Sequence, residues 1–288
     1  MDWNHQYAGL PDLRVHYVRH GQGDPLFLIH GWPEFWYAWH KNIPTLAKSF
    51  DVIVPDLRGF GDTEKTDGVP GVMTYAEDLQ ALADHLGIGR FGVATHDVGA
   101  GVMQVFARQW PERLTGLFLF NASHPGVGKR WAEADHLKEI WYQSFHQLDF
   151  AEALVGASRE SCRTYFQYFL SHWAHDPHAY DDDLEAWVDN FMKPGNLRGG
   201  FDWYRATNES RLAAIRGDVP ILDKITVPTR MLWGAHDPVL KAEWRDRLGD
   251  YFADIRIDVA EEAGHFVHYE VPDLANLEIE AFFKSLRG

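Results

Sequence analysis

Four short apolar runs, separated by segments of helical spacing, constrain this chain more than any single motif. They are "PLFLIH" (25–30), "DVIVPD" (51–56), "RFGVATH" (90–96) and "LTGLFLF" (114–120). Each is short, apolar and bounded by turn residues, as buried strands are. Between the second and third runs, Tyr75, Leu79, Leu82 and Leu86 recur at helical intervals. After the third, "VMQVFARQW" also reads as a helix. Strands separated by helices pair through crossovers, so the pattern predicts an α/β fold with a mostly parallel sheet flanked by helices.

The rhythm breaks after Phe120. Residues 122–222 hold no convincing strand and are rich in aromatics at helical spacing, such as Phe166, Phe169 and Trp173. "TRMLWG" (229–234) and "ADIRIDVA" (253–260) then resume the strand pattern. The tail predicts a helix through Leu274, Leu277 and Ala281. The expected organisation is one core, 1–121 and 223–288, interrupted by an inserted helical cap, or lid, over 122–222.

Composition narrows the function. The chain's 288 residues carry 27 Lys and Arg against 42 Asp and Glu, a net charge of −15. Such a field repels phosphate backbones, which argues against nucleic acid and suggests uncharged or cationic substrates. The one cysteine, Cys162, can form no internal disulfide and no thiolate metal site. Neither a metal nor an organic cofactor is expected. The N-terminal segment lacks a basic region followed by an apolar run, and no apolar stretch approaches the ~18 residues of a spanning helix. These features predict a cytoplasmic enzyme with no membrane span; a homo-oligomer is left open.

The segment "GVATHDVGAG" (92–101) passes from strand to helix at Asp97, with Gly99 and Gly101 following. A nucleophile elbow needs this tight turn with small neighbours. Asp97 could instead be a helix cap. Asp237, in "LWGAHDPV", and His265, in "EEAGHFVHYE", follow the two late strands. Alone, Asp237 before Pro238 reads as a turn residue, and His265 as one of 16 histidines. Together, the order nucleophile, acid, histidine at strand ends is that of a hydrolase triad. In "LIHGWPEFWYAWH", a turn fixed by Gly31 and Pro33 could aim the Trp32 N–H at the site. The N–H of Val98 would then complete an oxyanion hole. His30, Pro33 and Trp141 are expected to contact substrate.

These motifs resemble the Asp-nucleophile branch of the α/β-hydrolase superfamily, and most of all the epoxide hydrolases. "HGWPEFWYAW", "PDLRGFGDT", "THDVGA", "LWGAHDP" and "GHFVHYE" are similar to that family's landmarks, in the same order and across nearly the whole core. The resemblance implies an α/β-hydrolase fold and two cap tyrosines facing the nucleophile. "IWYQSFHQ" puts Tyr142 in the first place and "GFDWYRATNES" puts Tyr204 in the second. Read without the resemblance, each is a packed aromatic. It further implies conversion of an epoxide to a vicinal diol through a covalent Asp97 ester, which His265-activated water hydrolyses. The aromatic cap suggests an apolar epoxide. Haloalkane and fluoroacetate-type dehalogenases use the same nucleophile. Here the position after it is Val98 rather than the usual Trp, and "DVGAGVMQ" contains no arginine. Position 121, where some relatives place the triad acid, is a neutral Asn. A catalytically idle binding protein on the same fold is the remaining alternative.

Overall fold

The strand runs assemble into one eight-stranded sheet in a computed structural model that describes residues 3–218 and 221–287. Residues 1–2, 219–220 and 288 of the expected core and cap ranges lie outside the described residues. The strands are β1 (His5–Leu10), β2 (Leu13–Gly21), β3 (Asp24–Ile29), β4 (Phe50–Pro55), β5 (Phe91–His96), β6 (Leu114–Phe120), β7 (Thr229–Gly234) and β8 (Ile255–Ala260). Their spatial order is β1-β2-β4-β3-β5-β6-β7-β8. Pairing is parallel from β4 through β8, and antiparallel where β2 meets β1 and β4.

The six expected strands fall within two residues of their apolar runs. β4 and β5 are buried along their whole length, because helices cover both faces of a parallel sheet and leave no polar side. β1 and β2 were not expected. An antiparallel edge needs only one apolar face, and its outer positions carry polar side chains such as His5, Gln6 and His20. That dilutes the apolar signal.

The helices are α1 (Ile43–Leu46), α2 (Val72–His85), α3 (Asp97–Gln109), α4 (Trp141–Phe145), α5 (Ala151–Val155), α6 (Arg159–His172), α7 (Leu184–Phe191), α8 (Asn196–Arg216), α9 (Val267–Glu270) and α10 (Pro272–Ser285). The cap carries α4 to α8 between β6 and β7. Its α6 begins with a reciprocal capping box, in which Ser158 and Ser161 satisfy each other's backbone donors. Phe166, Phe169 and Trp173 are buried within the cap, as their spacing predicts.

The helical tail forms, but its buried face is not the expected one. Leu274 and Leu277 are exposed large apolar residues and Ala281 is exposed, whereas Ala275, Ile279, Phe282 and Phe283 are buried. The reason is packing against the sheet: Phe282 lies beside Gly116 and Phe283 beside Gly92, where there is room for rings. That choice rotates the leucine stripe to the opposite side. Among the described residues, no helix is long and apolar enough to cross a membrane.

Candidate active site

The strand-to-helix turn after β5 puts Asp97 at the first position of α3 with φ of +48°, an uncommon conformation for a side chain other than glycine. The turn depends on Gly99. A Cβ there would lie 2.5 Å from the His30 carbonyl oxygen and 2.6 Å from Thr95 Oγ1. Thr95 itself is buried inside β5 and does not disturb the turn.

The two oxygens of Asp97 have different surroundings. Oδ1 accepts a hydrogen bond from the Trp32 N–H at 3.0 Å. Val98 is the second residue of α3, where backbone N–H groups have no partner within the helix. Oδ2 lies 3.7 Å from His265 Nε2, too far for a hydrogen bond. His265 Nδ1 donates to Asp237 Oδ2 at 2.7 Å, which leaves Nε2 without a hydrogen-bond partner among the described residues and turned toward Asp97.

Asp237 is fully tied down. Oδ1 accepts from the N–H groups of Val239 and Leu240, and Oδ2 accepts from His265 and from the Asn121 amide. Asn121, at φ of +39° just past β6, also accepts from the Gly234 N–H at 2.9 Å, so one amide joins β6, β7 and the acid. Burial alone lowers the pKa of His265, but the carboxylate of Asp237, then that of Asp97, raise it to about 9. Burial pushes Asp237 up, and His265, the Leu240 N–H and the Asn121 amide together more than reverse this, so the carboxyl sits below its ordinary value.

Beneath Asp97 lies a buried polar network that sequence reasoning missed. Glu34 Oε2 accepts from the Gly31 N–H at 2.7 Å and from His96 Nδ1 at 2.8 Å. His96 Nε2 is 2.9 Å from the His265 carbonyl oxygen. Both His96 nitrogens therefore face acceptors. His268 Nε2 stands 3.1 Å from Glu34 Oε1; burial lowers the pKa of His268 to about 4. Glu34, His96 and His268 could geometrically hold a cation. The donors already aimed at Glu34 describe a hydrogen-bonded network instead. The available signals were "HGWPE" and the His immediately before Asp97; nothing in the sequence joins them.

The cap meets this site through aromatic contacts. Tyr142 from α4 and Tyr204 from α8 line the same cavity of about 320 Å³ as Asp97 and Val98. Their rings meet edge to face at 5.3 Å, and the Trp32 indole stacks on Tyr142 at 5.2 Å. Burial, and then the nearby charge of Asp97, raise the pKa of Tyr142; burial, then Tyr142 and Asp97, raise that of Tyr204. Both are therefore neutral hydroxyls able to donate. The cap also grips the histidine loop. The His265 N–H donates to the Trp173 carbonyl at 2.8 Å, and Glu270 accepts from Gly264, Phe266 and the cap residue His175.

Three expected substrate contacts are placed elsewhere. His30 is buried in the turn, with Nδ1 beside the Gly31 carbonyl and Nε2 accepting the Leu57 N–H. Pro33 is buried, and its carbonyl accepts the Trp187 indole N–H. Trp141 is 40% exposed and stacks on Phe169 at the outer side of the cap, since α4 turns the adjacent Tyr142 inward. None of the three lines the cavity.

An elbow carboxylate, an opposed histidine and a backbone donor meet at strand ends, an arrangement compatible with hydrolase chemistry. Consistent with this, the model of the alpha/beta hydrolase fold matches residues 24–272, and the chain belongs to that family. Within it, the chain is most like the epoxide hydrolases. It is 32% identical to a soluble epoxide hydrolase of Corynebacterium sp. (strain C12), over 98% of each chain. It is 29% identical to human epoxide hydrolase 4, covering 97% of this chain and 79% of that one. A solved epoxide hydrolase without ligand (CorEH) superimposes with a TM-score of 0.87 at 32% identity, over 99% of this chain and 100% of that one.

Proposed function

We propose that this hydrolase opens epoxides to vicinal diols through an ester on Asp97. The observation that carries the reading is the cavity, in which a carboxylate oxygen without a hydrogen-bond donor shares space with two neutral tyrosines. Asp97 Oδ2 attacks an epoxide carbon and the C–O bond of the ring breaks. The leaving oxygen stays on the substrate and takes a proton from Tyr142 or Tyr204. Tyrosine hydroxyls suit a poor, alkoxide-like leaving group, which needs hydrogen-bond donors.

Ester formation removes the Asp97 charge, one of the groups that raise the His265 pKa. His265 then passes its proton on, restoring the tyrosine, and becomes a base. It takes a proton from water, and the resulting hydroxide attacks Cγ of Asp97. Negative charge develops on Oδ1, which the Trp32 N–H already contacts and the Val98 N–H would join. Collapse breaks the Cγ–Oδ2 bond, the diol leaves with Oδ2, and His265 returns its proton to it.

His265→Gln protein offers the test. It should form the ester and fail to hydrolyse it. An epoxide loses no atom on opening, so the peptide containing Asp97 gains the full substrate mass. A haloalkane or haloacid would add its mass less that of the hydrogen halide. Labelling by halogenated compounds alone would replace the epoxide reading with a dehalogenase and keep Asp97 as nucleophile.

A further inference from the structure

The two cap tyrosines line one cavity, but their hydroxyls do not have the same neighbours. Gln143 follows Tyr142 on α4, is buried, and lines the cavity beside Asp97, Val98, Tyr142 and Tyr204. Its Nε2 donates to the Tyr142 hydroxyl at 3.2 Å. Residues one apart on a helix do not face each other, so this contact is no by-product of the backbone. Among the described residues, the Tyr142 hydroxyl is the one hydrogen-bond partner of the Gln143 side chain. A buried amide is costly unless paired, so the pairing fixes where the side chain stands. Its main chain is held as well. The Gln143 carbonyl accepts from Gln147 Nε2 at 2.7 Å, and the same nitrogen reaches Asn208 Oδ1 on α8 at 3.1 Å. Asn208 lies about one turn beyond Tyr204, so this bridge holds both tyrosines in one frame.

A hydroxyl has one proton to give and lone pairs with which to receive. With Gln143 donating to the Tyr142 oxygen, the Tyr142 proton is left for the epoxide. The same amide stabilises the phenolate that remains, because a hydrogen bond strengthens when its acceptor becomes charged. Among the described residues, no side-chain amide donates to the Tyr204 hydroxyl. Burial and then Asp97 raise the pKa of Tyr142, and against them the Gln143 amide and the Tyr204 hydroxyl pull it down. For Tyr204, burial and then Tyr142, Asp97 and Tyr165 all push upward. One hydroxyl has support for its charged form, and the other has none.

We propose that Gln143 is a positioning residue that makes Tyr142 the proton donor, while Tyr204 keeps its proton and steadies the same oxygen by a hydrogen bond. This rests on the epoxide reading and assigns its proton. As Asp97 Oδ2 bonds to the epoxide carbon, the ring C–O bond breaks and its electron pair goes to the oxygen. That oxygen takes the Tyr142 proton, and the phenolate left behind is held by the Gln143 N–H. The proton from His265 later restores Tyr142. The two tyrosines are therefore not interchangeable, although they carry the same group and line one cavity.

Ester formation is read directly in a His265→Gln background, where the adduct on Asp97 accumulates and samples quenched over time are analysed by mass spectrometry. There, Gln143→Met keeps the side-chain volume and loses the donor. It should slow ester formation by roughly 10–100-fold, the scale of a hydrogen bond to a charged group. Added to Tyr142→Phe, it should change the rate by less than about twofold; added to Tyr204→Phe, it should keep its full effect. Tyr142→Phe should cost more than Tyr204→Phe. Gln143→Glu, whose ionised carboxylate accepts but cannot donate, should be slower than Gln143→Met. The Gln143 side-chain amide resonance, followed by NMR, should move in Tyr142→Phe and stay in Tyr204→Phe. Equal slowing by Gln143→Met in both tyrosine backgrounds reduces Gln143 to packing and overturns the proposal, with the epoxide reading intact. A Gln143→Glu protein as fast as its parent shows that position 143 accepts from Tyr142, which overturns it too. An amide resonance unmoved in Tyr142→Phe overturns it even where the Gln143 variants fail to fold. Failure of every epoxide to label Asp97 in the His265→Gln protein removes the epoxide reading itself, and the proton assignment with it.

Discussion

The core half of the site and the cap half are built by different forces. In the core, each functional group sits at the end of a strand and is fixed by directional hydrogen bonds to backbone, amide or carboxylate groups. Asp97 receives Trp32, Asp237 receives four donors, and His265 is held by Asp237. In the cap, Tyr142 and Tyr204 are placed by ring contacts with Trp32, Trp173, His146 and each other. Core atoms are thus held by several directional bonds, whereas the cap rings are held mainly by their surfaces, with the Gln143 amide donating to the Tyr142 hydroxyl at 3.2 Å. The core should therefore govern whether reaction occurs, and the cap how fast the ring opens and on which substrates.

Variants of the core test the first half of that contrast. Asp97→Ala should abolish diol formation with the fold intact by circular dichroism. Substantial turnover by the purified variant would remove the covalent route. With the unmodified protein, one turnover in heavy-oxygen water should give a diol without solvent label and a labelled Asp97, because the diol leaves with Oδ2.

Asp237→Asn comes next, with a loss on the order of 10⁴-fold, the scale seen when a triad acid loses its charge. The same change should move His265 titration, followed by NMR, from about 9 toward neutrality, because Asp237 is the main group holding it up. The sign for stability follows. His265 has a raised pKa in the folded protein, so its contribution is complete below the unfolded value near 6.5 and is lost as pH rises through about 9. The stability gap between Asp237→Asn and the unmodified protein should shrink across that window. A gap independent of pH would show that His265 does not titrate through Asp237.

Cap variants should cost less. Tyr142→Phe or Tyr204→Phe should slow ester formation by roughly 10–1,000-fold, with the double change slower still, as expected for lost oxyanion-type donors. Full activity in both single variants would return the tyrosines to packing and dissolve the division between the two halves. Gly264→Ala probes the seam. A Cβ there would lie 2.3 Å from the cap carbonyl of Trp173, so stability should fall by about 1–3 kcal/mol. An unchanged unfolding midpoint would mean that the seam yields easily.

What could be read from the sequence was whatever depends on local order. Strand runs, the elbow at Asp97 and the late positions of Asp237 and His265 are set by neighbours in the chain, and the parallel core followed from them. β1, β2 and the true face of α10 were not legible, since an edge strand shows a weak pattern and a helix with apolar residues all round can dock on more than one side. The Glu34–His96–His268 network and the Asn121 amide clamp join residues from opposite ends of the chain, and Trp141 against Tyr142 was decided by the way α4 turns. Only the tertiary structure brings such groups together, because their contacts join segments far apart in the chain.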